Sequence, residues 1–366
     1  MSSASNVSRL LRKSLHGLQR DNKKSHSTHW LEAISKEFTV PSASYSTHWL
    51  EAISKEFAVP PTTNFATKDY EEIKFNVPWG HIAGKWYGPK NTRPIVGFHG
   101  WQDNAGTFDT IAPLLPSHVG FLAIDLPGHG LSSWLPNGCT YHAVDYVTFV
   151  LTLMREFGWD KISMICHSMS AINGFVFSSL YPDKCDMYIA LDILKPFLRS
   201  KEVLISTVGE RLETLLKVNE RNRSNKQPPS YDFDELVEKL HEGSGKSINK
   251  DCCQFILNRN IKPSANDPTK FSFTRDDRLK SLLFYALPQE LVCDMAQRIT
   301  CPHLFIKALR APYYEDKSNY DEVINVLTQK PNFEYHQIDG THHVHLNEPE
   351  RIADIINPFI NKHRPQ

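Results

Sequence analysis

Three short clusters, far apart in the chain, carry residue types that can perform acyl transfer. The first is Ile165-Cys-His-Ser-Met-Ser-Ala171, between an apolar run that reads as a strand and one that reads as a helix. A serine hydroxyl becomes a usable nucleophile on a sharp strand-to-helix turn that lifts it clear of a sheet. Such a turn needs small residues two before and two after the serine. The usual pattern is Gly-x-Ser-x-Gly, and here Cys166 and Ser170 stand in the glycine positions. A plain helix N-cap is the alternative role for Ser168, and the strand before it argues for the nucleophile.

The second cluster, Gly340-Thr-His-His-Val-His-Leu-Asn-Glu-Pro349, offers three imidazoles. His342 lies nearest the loop glycine and is the expected base, with His343 and His345 left to pack or cap. The spacing His-His-x-His lacks a helical i, i+4 frame and a separate carboxylate, so no metal is expected. The third cluster is Phe98-His-Gly-Trp101. An oxyanion needs two backbone N–H donors; Met169, after the serine, and Trp101 are the expected pair. Gly100 lets the backbone bend there, and His99 is assigned a structural place. An acid must orient the histidine. Glu315 and Asp316, after the strand His303–Lys307, are two candidates, and Asp192, ending an earlier strand, is a third.

These clusters must be positioned by a regular framework. Glu71–Pro78 and His81–Tyr87 alternate apolar and polar residues and read as a hairpin turning at Pro78-Trp-Gly80. Strands follow at Ile95–Phe98, Phe121–Ile124, Lys161–Ile165, Met187–Leu191, His303–Lys307 and Phe333–Gln337. Helical periods occupy Tyr141–Phe157, Met169–Leu180, Tyr320–Leu327 and Pro349–Asn361. The last carries an apolar stripe of Ile352, Ile355, Ile356, Phe359 and Ile360. Strands alternating with helices imply a parallel sheet covered on both faces. Residues 195–300 lose that alternation and are helical, charged and Pro-interrupted; they read as a lid inserted over the strand ends. Residues 61–194 and 301–366 then form one core.

The run His99-Gly-Trp-Gln-Asp-Asn-Ala-Gly-Thr-Phe-Asp109, the loop Asp125-Leu-Pro-Gly-His-Gly-Leu-Ser132 and the motif Cys166-His-Ser-Met-Ser170 resemble the serine hydrolase-like proteins, including the kraken-type insect hydrolases. Phe273-Thr-Arg-Asp-Asp-Arg-Leu279 and Gly340-Thr-His-His-Val-His345 fit the same group. The resemblance spans residues 70–362. It implies an α/β-hydrolase fold: a mostly parallel eight-stranded sheet flanked by helices, with a helical lid. It also implies hydrolysis of carboxylic esters or related acyl substrates without a cofactor, and it favours Glu315 as the acid. A binding protein that kept the fold and lost the chemistry is the competing reading. Epoxide or halide displacement needs a carboxylate where Ser168 stands.

Composition narrows the partners. The 366 residues carry 41 basic and 41 acidic side chains, and the pI of 7.3 gives no reason to expect nucleic acid. The expected partner is a small acyl substrate. No apolar run approaches the ~18–20 residues of a membrane helix. Seven cysteines, an odd set without metal-ligand spacing, suit a reducing compartment. Adjacent Cys252 and Cys253 lack the C-x-x-C spacing of a redox pair. Residues 1–26 are basic, with no acid before Asp21, and place Val7, Leu10, Leu11, Leu15 and Leu18 on one helical face. A mitochondrial presequence has this character; otherwise the protein is expected in the cytoplasm. Ser27–Phe38 then recurs as Ser46–Phe57, each copy a short amphipathic stretch ending in Val-Pro. Two copies are too few to stack as a solenoid. They read as a duplication or a gene-model artefact, and 1–60 as an extension outside the fold.

Overall fold

The computed structural model describes residues 69–224 and 227–364, so the basic segment and both repeat copies lie outside the described residues. Strands β1 (Tyr70–Val77) and β2 (Gly80–Tyr87) form the expected antiparallel hairpin. They are followed by β3 (Ile95–Phe98), β4 (Phe121–Ile124), helix α1 (Ala143–Glu156), β5 (Ile162–His167), α2 (Met169–Leu180) and β6 (Cys185–Leu191). An insertion holds α3 (Lys201–Arg223), α4 (Phe233–Gly243), α5 (Cys253–Leu257) and the strands β7 (Ile261–Pro263) and β8 (Phe271–Phe273). The chain ends with α6 (Gln289–Arg298), β9 (His303–Ala308), α7 (Lys317–Thr328), β10 (Phe333–Ile338), α8 (Val344–Asn347) and α9 (Pro349–His363).

Eight strands form one sheet in the order β1-β2-β4-β3-β5-β6-β9-β10. Only β2 runs against its neighbours; from β4 to β10 every pairing is parallel. Parallel strands covered on both faces are apolar throughout rather than alternating. Accordingly β3, β4, β5 and β9 are buried at every residue. One face is covered by α1, α2, α6 and α7, the other by α9 and the segment 105–115. Ile352, Ile356, Phe359 and Ile360 of the α9 stripe are buried there.

Register decides what the strands hold up. The chain leaves β3 for β4 on one side and returns through α1 to β5 on the other, so strand order reverses between β3 and β5. Ligands bind outside the carboxyl ends of strands at such a reversal. Phe98 pairs with Cys166, His167 with Leu191, and Leu191 with Ile306. The residues following β3, β5 and β6, His99-Gly100-Trp101, Ser168 and Asp192, therefore emerge side by side with Lys307-Ala308 at the end of β9.

The insertion differs from the sequence reading in two ways. It contains the two-stranded antiparallel sheet β7-β8, whose strands of three residues are too short to show a period. Helix α6, expected within it, buries Val292, Met295 and Ala296 in the same apolar layer as α2 and belongs to the sheet's covering. Two buried Arg–Asp clusters fasten the insertion. Arg259 pairs with Asp125, whose other contacts are the N–H groups of Ala105 and Leu131. Arg278 pairs with Asp276 and donates to the carbonyls of Leu135, Pro136 and Cys139. Thus the Asp125 loop and the Phe273–Leu279 motif serve to lock insertion to core.

Helix α2 is buried from Met169 through Ser179, which requires close approach to the sheet. Gly174 provides it: a Cβ there would lie 2.6 Å from Tyr188 and 3.1 Å from Cys166. Gly174→Ala should therefore destabilise the fold by about 1–3 kcal/mol through overpacking, although alanine is the better helix former by about 1 kcal/mol. Urea denaturation measures it; a variant more stable than the parent would show that the helix can lift away from the sheet without cost.

Candidate active site

Ser168 occupies the first residue after β5 with φ 55° and ψ −116°. A non-glycine residue at positive φ is strained, and it persists only where its surroundings hold it. Here β5 on one side and α2 on the other hold it. Cys166 points into the core, and the Ser170 hydroxyl donates to the His99 carbonyl. The two non-glycine residues of the motif thus fit, and Ser170 ties α2 to the loop after β3. In that loop a Cβ on Gly100 would meet His167 Nδ1 and Ser168 Cβ at 3.1 Å.

The Ser168 hydroxyl lies 2.8 Å from Nε2 of His342. Nδ1 of His342 donates to Oδ2 of Asp192. Asp192 is 1% exposed and itself at positive φ, 64°. Its other oxygen accepts from Lys307 Nζ at 2.6 Å and from the Ala308 N–H at 3.1 Å. The Lys307 ammonium is completed by the carbonyls of Ala311 and Pro312. One hydrogen-bonded chain therefore runs Lys307–Asp192–His342–Ser168, from inside the sheet to the serine.

Glu315, the acid favoured by resemblance, does not reach His342. Its carboxylate is buried against Lys195 Nζ and the Leu198 N–H (2.7 Å), where it fastens the start of the insertion to the loop after β9. Asp316 is exposed at the start of α7. Asp192 bonds His342 instead, because β6 lies between β5, which leads into Ser168, and β9, which holds Lys307. The missed signal was Lys307: a lysine inside the apolar strand His303–Ala308 needs a buried counter-charge, and Asp192 ends the neighbouring strand.

Met169 begins α2, so its N–H has no intrahelical carbonyl to bond. Trp101 follows Gly100, and its indole N–H donates to Leu279 of the insertion at 2.7 Å. Both residues line, with Ser168 and His342, a cavity of about 610 Å³ between strand ends and insertion. Its apolar wall includes Ile172, Ile193, Phe197 and Phe284. His99 is fully buried; burial lowers its pKa to about 4, and it accepts the Leu126 N–H while bonding the Gly100 carbonyl.

The remaining histidines pack around His167, whose ring lies 4.2–4.8 Å from those of His342, His343 and His345. Burial, then mutual repulsion, holds His167 and His343 well below the usual imidazole range, and His345 at about 3. They are neutral. His167 donates from Nε2 to the His342 carbonyl (2.9 Å), leaving a lone pair on Nδ1. The Ser247 hydroxyl donates to Ser244 and accepts from His343 Nδ1–H, leaving a lone pair on His343 Nε2. Both lone pairs face Oδ2 of Asp103, at 3.9 and 4.0 Å. Among the described residues this is a group able to hold a metal ion, and Asp103 is the carboxylate that the sequence did not reveal. Its spacings exceed the ~3.4 Å between ligands of a tetrahedral zinc with bonds near 2.1 Å, so the side chains would have to close up around an ion.

The family relationship is direct. A profile of the α/β hydrolase fold matches residues 93–236. A probable serine hydrolase of Drosophila melanogaster is 32% identical over 80% of this chain and 88% of its own length. Human serine hydrolase-like protein 2 is 31% identical over 79% of this chain and 93% of its own. The chain belongs to the serine hydrolase-like proteins of the α/β-hydrolase fold. The crystal structure of a hypothetical protein of Pseudomonas aeruginosa PAO1 resembles this serine hydrolase-like protein with a TM-score of 0.67 and 26% identity, covering 79% of this chain and 99% of that one. No described helix of the protein is long and apolar enough to cross a membrane.

Burial raises the Asp103 carboxyl to about 7, partly offset by the Asn104 N–H bond. Its folded pKa thus exceeds the ~3.9 of an unfolded aspartate. The folded state binds the extra proton between those values, so Asp103 lowers stability progressively as pH rises from about 4 to 7. Relative to wild type, Asp103→Asn should gain stability across that window. Chemical denaturation at pH 4.5 and 7.5 checks this; a difference between the two proteins that is the same at both pH values would contradict the raised pKa.

Proposed function

We propose that this protein is a serine hydrolase that cleaves carboxylic esters or related acyl substrates through an acyl-enzyme. The observation that carries the reading is the unbroken hydrogen-bonded chain from Asp192 through His342 to Ser168, at the floor of a cavity. In this reading His342 Nε2 accepts the Ser168 proton as the hydroxyl oxygen attacks the acyl carbon. The Asp192 carboxylate holds the imidazole with Nε2 toward the serine and stabilises the imidazolium without taking its proton. Lys307 and the Ala308 N–H hold the Asp192 carboxylate in place. The N–H groups of Met169 and Trp101 receive the developing oxyanion. His342 then protonates the leaving group, and water, activated by the same ring, releases the acid. The insertion acts as a lid that shapes acyl selectivity.

A fluorophosphonate probe should label wild-type protein at Ser168, identified by peptide mass mapping. Ser168→Ala should lose both labelling and ester turnover while keeping its melting temperature. Labelling of the variant at the wild-type rate would remove Ser168 from the role.

The acid is tested by a pair of substitutions. Asp192→Asn should lower kcat by about 10³–10⁴, as expected when the imidazole loses the carboxylate that sets its tautomer. Glu315→Gln leaves Lys195 buried without its partner and should cost stability, about 3 kcal/mol, with kcat kept within about threefold in the folded fraction. The reverse pattern would return the acid to Glu315.

A further inference from the structure

The cavity wall opposite the strand ends is strongly cationic. Arg199, Arg211, Arg221, Lys239, Arg275 and Lys280 line it, all from the insertion, against two lining acids, Asp103 and Asp277. Asp103 faces the histidines on the floor. Asp277 alone must serve both Arg221 and Lys280. Lys239 pairs only at 3.6 Å with Glu235, one turn away on an exposed helix face. Arg211 gives Nη1 to the carbonyls of Leu282 and Lys280, which leaves its charge uncompensated, and it lies over the rings of Phe284 and Trp101. Arg199 and Arg275 have no carboxylate partner among the described residues.

Arg275 is the telling member. It is only partly exposed, its guanidinium stacks 4.2 Å from the Phe273 ring, and none of its five N–H donors finds an acceptor among the described residues. Burial pulls its pKa down, opposed at a distance by the charge of Asp277. A half-buried guanidinium fork without an anion is costly, and its planar donors match a carboxylate or phosphate in two-point contact. Low-dielectric walls around like charges also concentrate anions in the cleft.

Resting on the hydrolase reading above, we infer that the lid wall is an anion subsite and that the substrate is an acyl compound bearing a carboxylate or phosphate, anchored by Arg275 with Arg199 and Arg211 in support. The anion can sit on either side of the scissile bond: as a terminal carboxylate on the acyl chain, or as phosphate on the leaving group.

Two matched pairs separate these sources. One compares the nitrophenyl monoester of glutaric acid with nitrophenyl pentanoate. The other compares a butanoyl thioester of coenzyme A with the uncharged butanoyl thioester of N-acetylcysteamine. In at least one pair the anionic member should be preferred by about thirtyfold or more in kcat/KM, mainly through KM, with the preference shrinking as salt is raised from 20 to 300 mM. Arg275→Gln should reduce that preference at least tenfold, and Arg275→Lys should retain part of it. Exposed Arg199→Gln should reduce it less, and it serves if the Arg275 variants do not fold. Equal or better use of the neutral member in both pairs, with Ser168 still labelled by the probe, overturns the inference and leaves the hydrolase reading intact. If no ester is cleaved and the probe fails, calorimetry on Ser168→Ala decides the subsite separately. Binding of glutarate or coenzyme A that is lost in the Ser168→Ala/Arg275→Gln double variant supports it, and no binding of either at millimolar concentration overturns it.

Discussion

A lysine ammonium buried inside the sheet is the constraint from which the site follows. Lys307 sits 1% exposed in β9, one strand in from the sheet edge, where an unpaired cation would cost several kcal/mol. Asp192 answers that charge with one oxygen and thereby has the other free for the Nδ1–H of His342. The pairing fixes the carboxylate, the carboxylate fixes the ring, and the ring faces the serine. Each group in the series is ordered by the one behind it, so little side-chain entropy remains to be lost when a substrate arrives.

Backbone strain is concentrated at the same place. Ser168 and Asp192 both adopt positive φ as single non-glycine residues directly after adjacent strands. Neither conformation is favourable alone. What holds them is the buried strands β5, β6 and β9 below and helix α2 above, whose approach depends on Gly174. The buried strands thus lie beneath Ser168 and Asp192, and the insertion lies over them.

The insertion is not a loose appendage. Arg259–Asp125 and Arg278–Asp276 are buried, multiply bonded clusters, and Trp101 reaches across to Leu279. Ser247 of the insertion also sets the tautomer of His343 beside the His342 ring. These contacts couple the wall that carries the cations to the floor that carries the serine.

Apolar runs and turn residues made most of the framework legible in the chain alone: β3 and β4 at their actual bounds, the helix after Ser168, the α9 stripe. These are local properties, set by periodicity within a few residues. Ser168 and His342, which the structure hydrogen-bonds to each other, were singled out by local signals of the same kind, a strand-to-helix turn and a glycine loop. The carboxylate that His342 bonds was not. Glu315 and Asp192 both follow apolar strands, and only the pairing of β6 with β5 and β9 puts Asp192 beside the ring while Lys195 occupies Glu315. The β7-β8 pair was out of reach because three-residue strands show no period, and Asp103 among the histidines and the cationic wall because each joins residues tens of positions apart whose neighbours are chosen by the register of the sheet and the packing of the insertion, not by their spacing in the chain.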